Sequence, residues 1–209
     1  MELYFSPLAC SMATRICLYE AGVDAKYTEV DPRTKRTPDG SDFRAIHPLG
    51  LVPTLRSDDG ELLTENAAIL QYVAESFPDA RLAPLEPRGR ARLRKWLSFV
   101  GTELHKALFV PLLDPRAPEG AKAYALGKAD SRLSYLATHL EGRAFLLDAF
   151  SLADAYLFTV LSWTPAVPLD LGRWPALGGY LARLRERPAL ARAFAEERTL
   201  YAAELARNK

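Results

Sequence analysis

The chain has 209 residues, of which 27 are lysine or arginine and 26 are aspartate or glutamate, so its formal net charge is +1. This balance gives no electrostatic reason to expect a nucleic acid or a membrane surface as a partner, because such partners select basic proteins. Hydrophobic residues make up 49% of the chain, enough for a full core. No run approaches the roughly 18 apolar residues of a membrane span.

Cysteine usage limits the classes of protein further. Cys10 and Cys17 cannot build a disulfide framework, and on one helix they would lie about 10 Å apart along its axis, too far to bridge. The start of the sequence lacks the basic and apolar segments of a secretory signal. We therefore expect a reducing, cytoplasmic location, and a core position for Cys17. The spacing of histidine and cysteine predicts no metal site.

Short strand-like and helical segments alternate in the first half of the chain. The predicted elements, in order, are a strand at Leu3–Phe5, a helix at Ser11–Ala21, strands at Lys26–Val30, Val52–Arg56 and Glu61–Leu63, and a helix from Thr64 to about Phe77. Asp59-Gly60 is a strong hairpin signal, and Thr64 is a residue type that caps helices. This β-α-β and β-β-α order predicts one small mixed sheet with helices packed on it.

A proline-rich segment separates this half from the rest of the chain. Its prolines cannot continue a helix, so we predict a linker at 81–87. Beyond it the apolar residues follow only the helical period, in the segments Arg88–Leu113, Pro118–Leu140, Leu152–Trp163, Trp174–Arg187 and Ala189–Arg207. The sequence therefore predicts an α/β domain at 1–80 followed by an all-α domain at 88–209.

Cys10 is the first candidate for chemistry, because it stands where the helix at Ser11–Ala21 begins. The unpaired N–H groups and the positive dipole end of a helix favour a thiolate, which is the reactive form of cysteine. Cys10 is either a nucleophile or redox group, or simply a small buried apolar residue. The chain has no Cys-x-x-Cys, so dithiol exchange is not expected, and a single thiolate suits a mixed disulfide with a small thiol.

Two further segments have residue types that suit the binding of a peptide. Thr64-Glu65-Asn66 lies at a predicted helix start, where free N–H groups bind anions, and adds an acceptor for an ammonium group and an amide donor. It is either a clamp for the end of an amino acid or ordinary capping. Pro53, at the entrance of a predicted strand, is either an ordinary turn proline or the site of a cis bond.

A polar stripe is predicted on the helix at Arg88–Leu113. Ser98, Thr102 and His105 are spaced four and three residues apart, while the residues around them are apolar. A polar stripe on a half-buried helix has to face water, a partner chain or a ligand. A lone histidine is usually structural, so His105 becomes a functional candidate only through its polar neighbours.

Ser151-Leu152-Ala153-Asp154 predicts the start of a helix rather than a catalytic group. A serine followed three residues later by an acid forms a capping box, in which each side chain bonds a free N–H at the helix start. We therefore expect Ser151→Ala to cost about 1 kcal/mol of stability.

Taken together, these residues resemble a bacterial glutathione S-transferase of the beta class. The matching pieces span essentially the whole chain and are Leu3-Tyr4-Phe5-Ser6-Pro7, Ala9-Cys10-Ser11, Val30-Asp31, Arg33-Thr34-Lys35, Pro48-Leu49-Gly50-Leu51-Val52-Pro53, Asp59-Gly60, Leu63-Thr64-Glu65-Asn66, Thr102-Glu103-Leu104-His105-Lys106 and Ser151-Leu152-Ala153-Asp154-Ala155-Tyr156-Leu157-Phe158. The resemblance implies a thioredoxin-like N-terminal domain, a helical C-terminal domain and a homodimer with two sites.

The resemblance also implies a site for glutathione, used as a co-substrate with no further cofactor. Val52 would pair its backbone with the cysteinyl part of glutathione, next to a cis Pro53. Glu65 and Asn66 would hold the γ-glutamyl end, and Lys35 would meet the glycyl carboxylate. The implied catalytic residues are Cys10, Ser11 and His105, and the second domain, in part from the partner subunit, would add contacts from Ser98, Thr102, Glu103, Leu104 and His105.

The sequence departs from the family pattern at several positions. Phe5 stands where many relatives have Tyr, Leu8 replaces the usual Gly, and Asn66 stands where Ser is more common.

The expected function is that of a glutathione transferase, which activates the glutathione thiolate for attack on hydrophobic electrophiles, disulfides or peroxides. Two alternatives stay open: a non-catalytic binding protein of the same shape, and a glutathione-dependent isomerase or dehalogenase.

Overall fold

The computed structural model describes residues 1–207, and its first compact unit is built on a four-stranded sheet. The strands are β1 (Glu2–Phe5), β2 (Lys26–Glu29), β3 (Thr54–Arg56) and β4 (Leu62–Thr64), in the order β2-β1-β3-β4. β1 pairs in parallel with β2 and antiparallel with β3, which pairs antiparallel with β4. The mixed sheet predicted from the element order is therefore confirmed.

Both faces of this sheet are covered by apolar side chains. β1 is buried along most of its length, and because side chains alternate along a strand, its residues contribute to both faces. On one face Tyr4, Val30 and Phe43 form a buried cluster. The helices α1 (Ser11–Glu20) and α2 (Asn66–Ser76) supply further buried residues, among them Met12, Ile16, Leu18, Ile69, Leu70 and Val73.

The last helix of the chain, α8 (Pro188–Arg207), belongs to this first unit. Residues 1–82 and 187–207 form one compact unit, and residues 83–186 form the other. The predicted domain boundaries, 1–80 and 88–209, follow the order of the chain and stay a prediction. The structure differs in one respect, since α8 packs against α1 of the first unit. Helical periodicity identifies α8 as a helix without saying which surface it covers.

The second unit is helical. It contains α3 (Pro87–Phe99), a π-helical continuation at Val100–Phe109, and the helices α4 (Val110–Leu113), α5 (Glu119–Leu140), α6 (Leu152–Leu161) and α7 (Pro175–Arg185). Every residue of α6 is buried, which makes it the central helix of this unit. Among the described residues, no helix is both long enough and apolar enough to cross a membrane.

The start of α6 is fixed by the predicted capping box. Ser151 and Asp154 make both reciprocal contacts, and Asp154 Oδ2 accepts the backbone N–H of Ser151 at 2.9 Å. Asp154 also accepts the N–H of Leu146 and the hydroxyl of Tyr180, each at 2.8 Å. The structural role predicted for this motif is confirmed, and Asp154 bonds more groups than a capping box requires.

Candidate active site

In the first unit, Cys10 lies at the amino end of α1 and contacts the segment that enters β3. Its side chain is partly exposed, and its Sγ donates to the carbonyl oxygen of Val52 at 3.5 Å. The first turn of α1 contains no acidic residue, so nothing there offsets the positive end of the helix dipole. Two residues predicted on separate grounds are thus brought into contact, next to a helix end that favours negative charge.

The loop before Cys10 is held by specific hydrogen bonds. The hydroxyl of Ser11 donates to the carbonyl of Ser6 at 3.3 Å, and Ser11 is fully buried. Leu8 has a φ of +58°, in the left-handed region where a residue with a Cβ is strained and glycine is not. Its N–H donates to Oε2 of Glu197 on α8 at 2.7 Å. The bond from Ser11 to Ser6 and the bond from Leu8 to Glu197 together hold the loop that leads to Cys10.

Sequence reasoning missed Glu197 and its neighbour Arg15. Glu197 is fully buried, and Arg15 is 4% exposed, with its guanidinium carbon 4.2 Å from the ring centroid of Phe5 and 4.3 Å from that of Tyr27. Charged residues on helices rich in Arg and Glu are normally solvated, and no local pattern distinguishes these two. Arg15 and Glu197 meet because α8 packs on α1, a contact between segments that are far apart in the sequence.

The Val52–Pro53 peptide bond is cis, as the resemblance implied. Gly50 has a φ of +60°, and a Cβ placed on it would lie 3.3 Å from Cδ of Lys35. The aliphatic part of Lys35 therefore packs against Gly50, which brings this side chain next to the segment that carries Val52. Lys35 itself has a φ of +60°.

The start of α2 differs by one residue from the prediction. Thr64 pairs with Thr54 as the last residue of β4, so Glu65 occupies the cap position, without a side-chain cap bond. Its φ of +65° is again in the left-handed region. Such strain concentrates at functional sites. Among the described residues, four non-glycine residues have a positive φ, and three of them, Leu8, Lys35 and Glu65, are candidate residues or lie within two residues of one.

Asn66 is the first residue of α2 and is 6% exposed. Its Oδ1 accepts the hydroxyl of Thr14 at 3.1 Å, while its Nδ2 has no hydrogen-bond partner among the described residues. A buried polar atom without a partner is costly and calls for an explanation such as a ligand. The unpartnered amide therefore indicates a ligand site at the amino end of α2. The free N–H groups at the start of this helix favour an anion there.

The second unit carries the remaining candidates, and here the predicted polar stripe is wrong for His105. Ser98 and Thr102 are exposed, with Thr102 Oγ1 donating to the carbonyl of Ser98 at 2.9 Å, but His105 is 8% exposed. The chain from Val100 to Phe109 is π-helical, so each turn is wider and a spacing of three no longer returns to the same face.

His105 is fixed by two aromatic residues that the sequence did not predict. Its Nδ1 lies 2.7 Å from the hydroxyl oxygen of Tyr156, and its ring meets Trp163 edge-on with 5.0 Å between centroids. Burial, together with the smaller effect of the nearby charge of Lys106, lowers the pKa of His105 to about 4. The imidazole is therefore neutral at physiological pH.

The neighbours of His105 have partners of their own within this unit. Glu103 forms an ion pair with Arg132 on α5, with 2.5 Å between their nearest atoms, and the side chain of Leu104 is fully buried. A glutathione contact from Leu104 could therefore come only from its backbone.

Comparison with known proteins decides the family. Residues 9–76 match the glutathione S-transferase N-terminal domain, and residues 100–188 match the glutathione S-transferase C-terminal domain. The glutathione S-transferase GstA of Escherichia coli O157:H7 is 41% identical over 94% of this chain and 98% of its own length. The chain belongs to the glutathione S-transferase family. It is a glutathione transferase, as the resemblance of its motifs implied.

Solved structures of glutathione S-transferases have the same fold. A sphingomonad glutathione S-transferase complexed with glutathione has a TM-score of 0.89 and 44% identity, over 94% of this chain and 98% of its own. The ternary complex of BphK, a bacterial glutathione S-transferase, has a TM-score of 0.91 and 41% identity, over 94% and 99%. In this glutathione transferase the mixed sheet is the thioredoxin-like N-terminal part, and the predicted fold class is confirmed.

Proposed function

We propose that this glutathione transferase binds glutathione in extended form beside Val52 and Pro53 and keeps its thiol ionised at the amino end of α1. The contact between Cys10 Sγ and the Val52 carbonyl, 3.5 Å long, is the observation that carries the proposal. An extended peptide that paired with the backbone of Val52 would bring its own sulfur close to Cys10.

The proposed chemical task is ionisation of a thiol near neutral pH. A free thiol has a pKa of about 8.5 and is only a few per cent ionised there. The unneutralised dipole of α1 and the N–H groups of its first turn favour the anion. The thiolate of glutathione then attacks an electrophile, forming a carbon–sulfur bond as the leaving group departs with the electron pair of the broken bond.

Thiol transfer is a second reaction of the same site. The thiolate of Cys10 attacks one sulfur of oxidised glutathione, a mixed disulfide forms, and one glutathione thiolate leaves with the electrons of the broken S–S bond. In this proposal Lys35, Glu65 and Asn66 hold the two ends of the tripeptide. The unpartnered Nδ2 of Asn66 and the strained backbone of Glu65 support that role.

We propose further contacts with glutathione from Ser98, Thr102, Glu103, Leu104 and His105, in part from the partner subunit of a cytoplasmic homodimer. The half-buried Trp163, whose ring packs on that of the buried Phe109 with 5.8 Å between centroids, offers an apolar surface beside His105 for a hydrophobic electrophile.

Mass spectrometry tests the proposal directly. After treatment with oxidised glutathione, the unchanged protein is expected to carry one reductant-sensitive glutathione adduct on Cys10. Cys10→Ala should lose the adduct and thiol transfer, while Cys17→Ala, which changes a fully buried thiol, should keep both. An adduct on Cys17 alone, or full thiol transfer by Cys10→Ala, would refute the proposed role of Cys10.

A further inference from the structure

A cavity of about 290 Å³ lies within the first unit, between the end of β2, the loop that follows it and the end of α8. Its wall includes Glu29, Asp31, Arg36 and Arg207, so carboxylates and guanidinium groups line the same space. The wall contains none of the residues proposed to hold glutathione. At about 30 Å³ for each molecule of liquid water, this volume corresponds to roughly ten waters, which is room for a small organic molecule.

Two of the four charges neutralise each other. Glu29 and Arg207 form an ion pair, in which the side chain of Glu29 is 16% exposed and that of Arg207 is 53% exposed. This pair joins the end of β2 to the end of α8 and forms one side of the cavity. Asp31 and Arg36 are left as the unmatched charges of the wall.

Asp31 and Arg36 are joined through the backbone but not through their side chains. The N–H of Asp31 donates to the carbonyl of Arg36 at 2.9 Å, yet neither side chain forms an ion pair among the described residues. Oδ1 of Asp31 accepts the N–H groups of Arg33 and Thr34, each at 2.8 Å, and Nη1 of Arg36 donates to the carbonyl of Gly40. These bonds position the two charges before a ligand arrives, which reduces the entropy lost on binding.

A third carboxyl group makes one end of the cavity more negative than the other. Glu204, one turn before Arg207 on α8, is 7% exposed and forms no hydrogen bond or ion pair among the described residues. Burial and, to a smaller degree, the negative charges of Asp31 and Glu29 raise the pKa of Glu204, so these three carboxyl groups repel one another. The side of the cavity next to α8 therefore attracts a cation, while Arg36 attracts an anion.

The pattern of charges limits the class of ligand. Among the described residues, no group of three histidine, cysteine, aspartate or glutamate side chains could hold a metal ion. An organic cation would leave Arg36 unmatched and an anion would leave Asp31 unmatched, and a charge taken out of water without a partner costs free energy. An α-amino acid carries an ammonium group and a carboxylate on the same carbon, so it supplies a partner for each.

We propose that this cavity binds a free α-amino acid as its zwitterion, with the ammonium group on Asp31 and the carboxylate on Arg36. A guanidinium group binds a carboxylate with two parallel hydrogen bonds, which gives the ligand a defined orientation. The γ-glutamyl end of glutathione has the same pair of charges, so the test has to distinguish a free amino acid from glutathione. The site is separate from the proposed glutathione site and does not depend on it.

Titration of the full-length protein with L-leucine tests the proposal. Nitrogen–proton NMR should show shifts of the backbone amides of residues 29–38, and these shifts give the dissociation constant. Leucinamide, which lacks the carboxylate, and N-acetylleucine, which lacks the ammonium group, should each bind about tenfold more weakly or less, the scale of one hydrogen bond between charged groups. L-leucine should bind equally well when glutathione is present at a saturating concentration.

Two substitutions assign the two charges. Asp31→Asn keeps an oxygen for the N–H groups of Arg33 and Thr34 but removes the negative charge, and Arg36→Gln removes the guanidinium group. Each should weaken the binding of L-leucine by about tenfold. Arg36→Gln should leave the affinity for leucinamide unchanged, because leucinamide has no carboxylate to lose its partner.

Arg33→Gln is the matched control, because Arg33 is an exposed arginine of the same loop that does not line the cavity, and it should not change the affinity for L-leucine. Equal binding of L-leucine and leucinamide, or unchanged affinity in both Asp31→Asn and Arg36→Gln, would overturn the proposal. So would the absence of shifts at residues 29–38. Displacement of L-leucine by glutathione would place the amino acid in the glutathione site and would also overturn it.

Discussion

Oε2 of Glu197 accepts the backbone N–H of Leu8 at 2.7 Å, so a carboxyl group on α8 holds the loop that leads to Cys10. That carboxyl group is fully buried, and Nε of Arg15 lies 3.1 Å from its Oε1. Neither of these two atoms has an aligned hydrogen-bond partner among the described residues. The strained entrance to α1 thus depends on a buried carboxyl group that comes from the far end of the chain.

This burial predicts how stability responds to pH. Burial raises the pKa of Glu197 to about 8, although Arg15 and the N–H of Leu8 lower it. Between its ordinary value of 4.5 and this raised pKa, the folded chain keeps a proton that the unfolded chain has lost. The contribution of Glu197 to stability is therefore complete at low pH and falls by about 1.4 kcal/mol per pH unit as the pH rises through that range.

Chemical denaturation at a series of pH values checks this prediction. Glu197→Gln should remove the part of the pH slope that the buried carboxyl group produces. Glu196→Gln is the matched control, because it alters the neighbouring carboxylate, whose side chain is 38% exposed, and should leave the slope in place. Equal slopes for Glu197→Gln and the unchanged protein would contradict the prediction.

The left-handed backbone of Leu8 predicts an inverted order of two substitutions. At an ordinary position glycine is less stable than alanine by about 0.5–1 kcal/mol, but a Cβ at positive φ costs about 1–2 kcal/mol. Both substitutions of Leu8 lose the same side-chain packing. Leu8→Gly should therefore be more stable than Leu8→Ala by about 1 kcal/mol in thermal or urea unfolding.

The same pair of changes on a regular helix provides the control for Leu8. Leu205 is partly exposed on α8, so Leu205→Gly should be less stable than Leu205→Ala. If Leu8 shows the same order as Leu205, the backbone at Leu8 is not strained in solution.

The sequence predicted the fold well wherever the signal is local. The hairpin turn at Asp59-Gly60, the capping box at Ser151 and the apolar period of each helix lie within a few residues of the structure they specify. The ends of helices and strands were predicted less well. Thr64 pairs with Thr54 as the last residue of β4, so it cannot also cap α2. Strand pairing, a tertiary interaction, decides between these two roles.

The candidate site was predicted only in part, because its support comes from distant segments. Leu8 and Glu197 are 189 residues apart in sequence, and His105 and Tyr156 are 51 apart. No periodicity connects such pairs. The π-helical turn around His105 likewise depends on packing inside the second unit, and it moved His105 from the expected polar stripe into the core.

The buried imidazole of His105 predicts sensitivity to acid. Burial lowers its pKa to about 4, below its ordinary value of 6.5, so between these values the unfolded chain binds a proton that the folded chain does not. The contribution of His105 to stability is present above pH 6.5 and is lost by about 1.4 kcal/mol per pH unit as the pH falls toward 4. Urea unfolding of His105→Gln should show a correspondingly shallower acid limb; an unchanged limb would mean that the imidazole is solvated.

Asp154 should matter more to stability than the serine of its capping box. Its carboxylate accepts hydrogen bonds from Leu146 N–H, Ser151 N–H and the hydroxyl of Tyr180, at 2.8, 2.9 and 2.8 Å, and it is fully buried. Asp154→Ala leaves all of these donors without a partner, so we expect a loss of about 3 kcal/mol or more. Ser151→Ala removes only the serine hydroxyl and leaves these three bonds intact, so it should cost about 1 kcal/mol.

A double-mutant cycle separates this account from a general disturbance of the core. Tyr180→Phe alone removes a hydrogen bond to Asp154 and should cost about 1 kcal/mol in urea unfolding. In the Asp154→Ala background that bond no longer exists, so the same change should cost nothing and even relieve the unpaired hydroxyl. An equal cost in both backgrounds would show that Asp154 and Tyr180 act independently, and that the carboxylate is not the shared acceptor that joins α6 to α7.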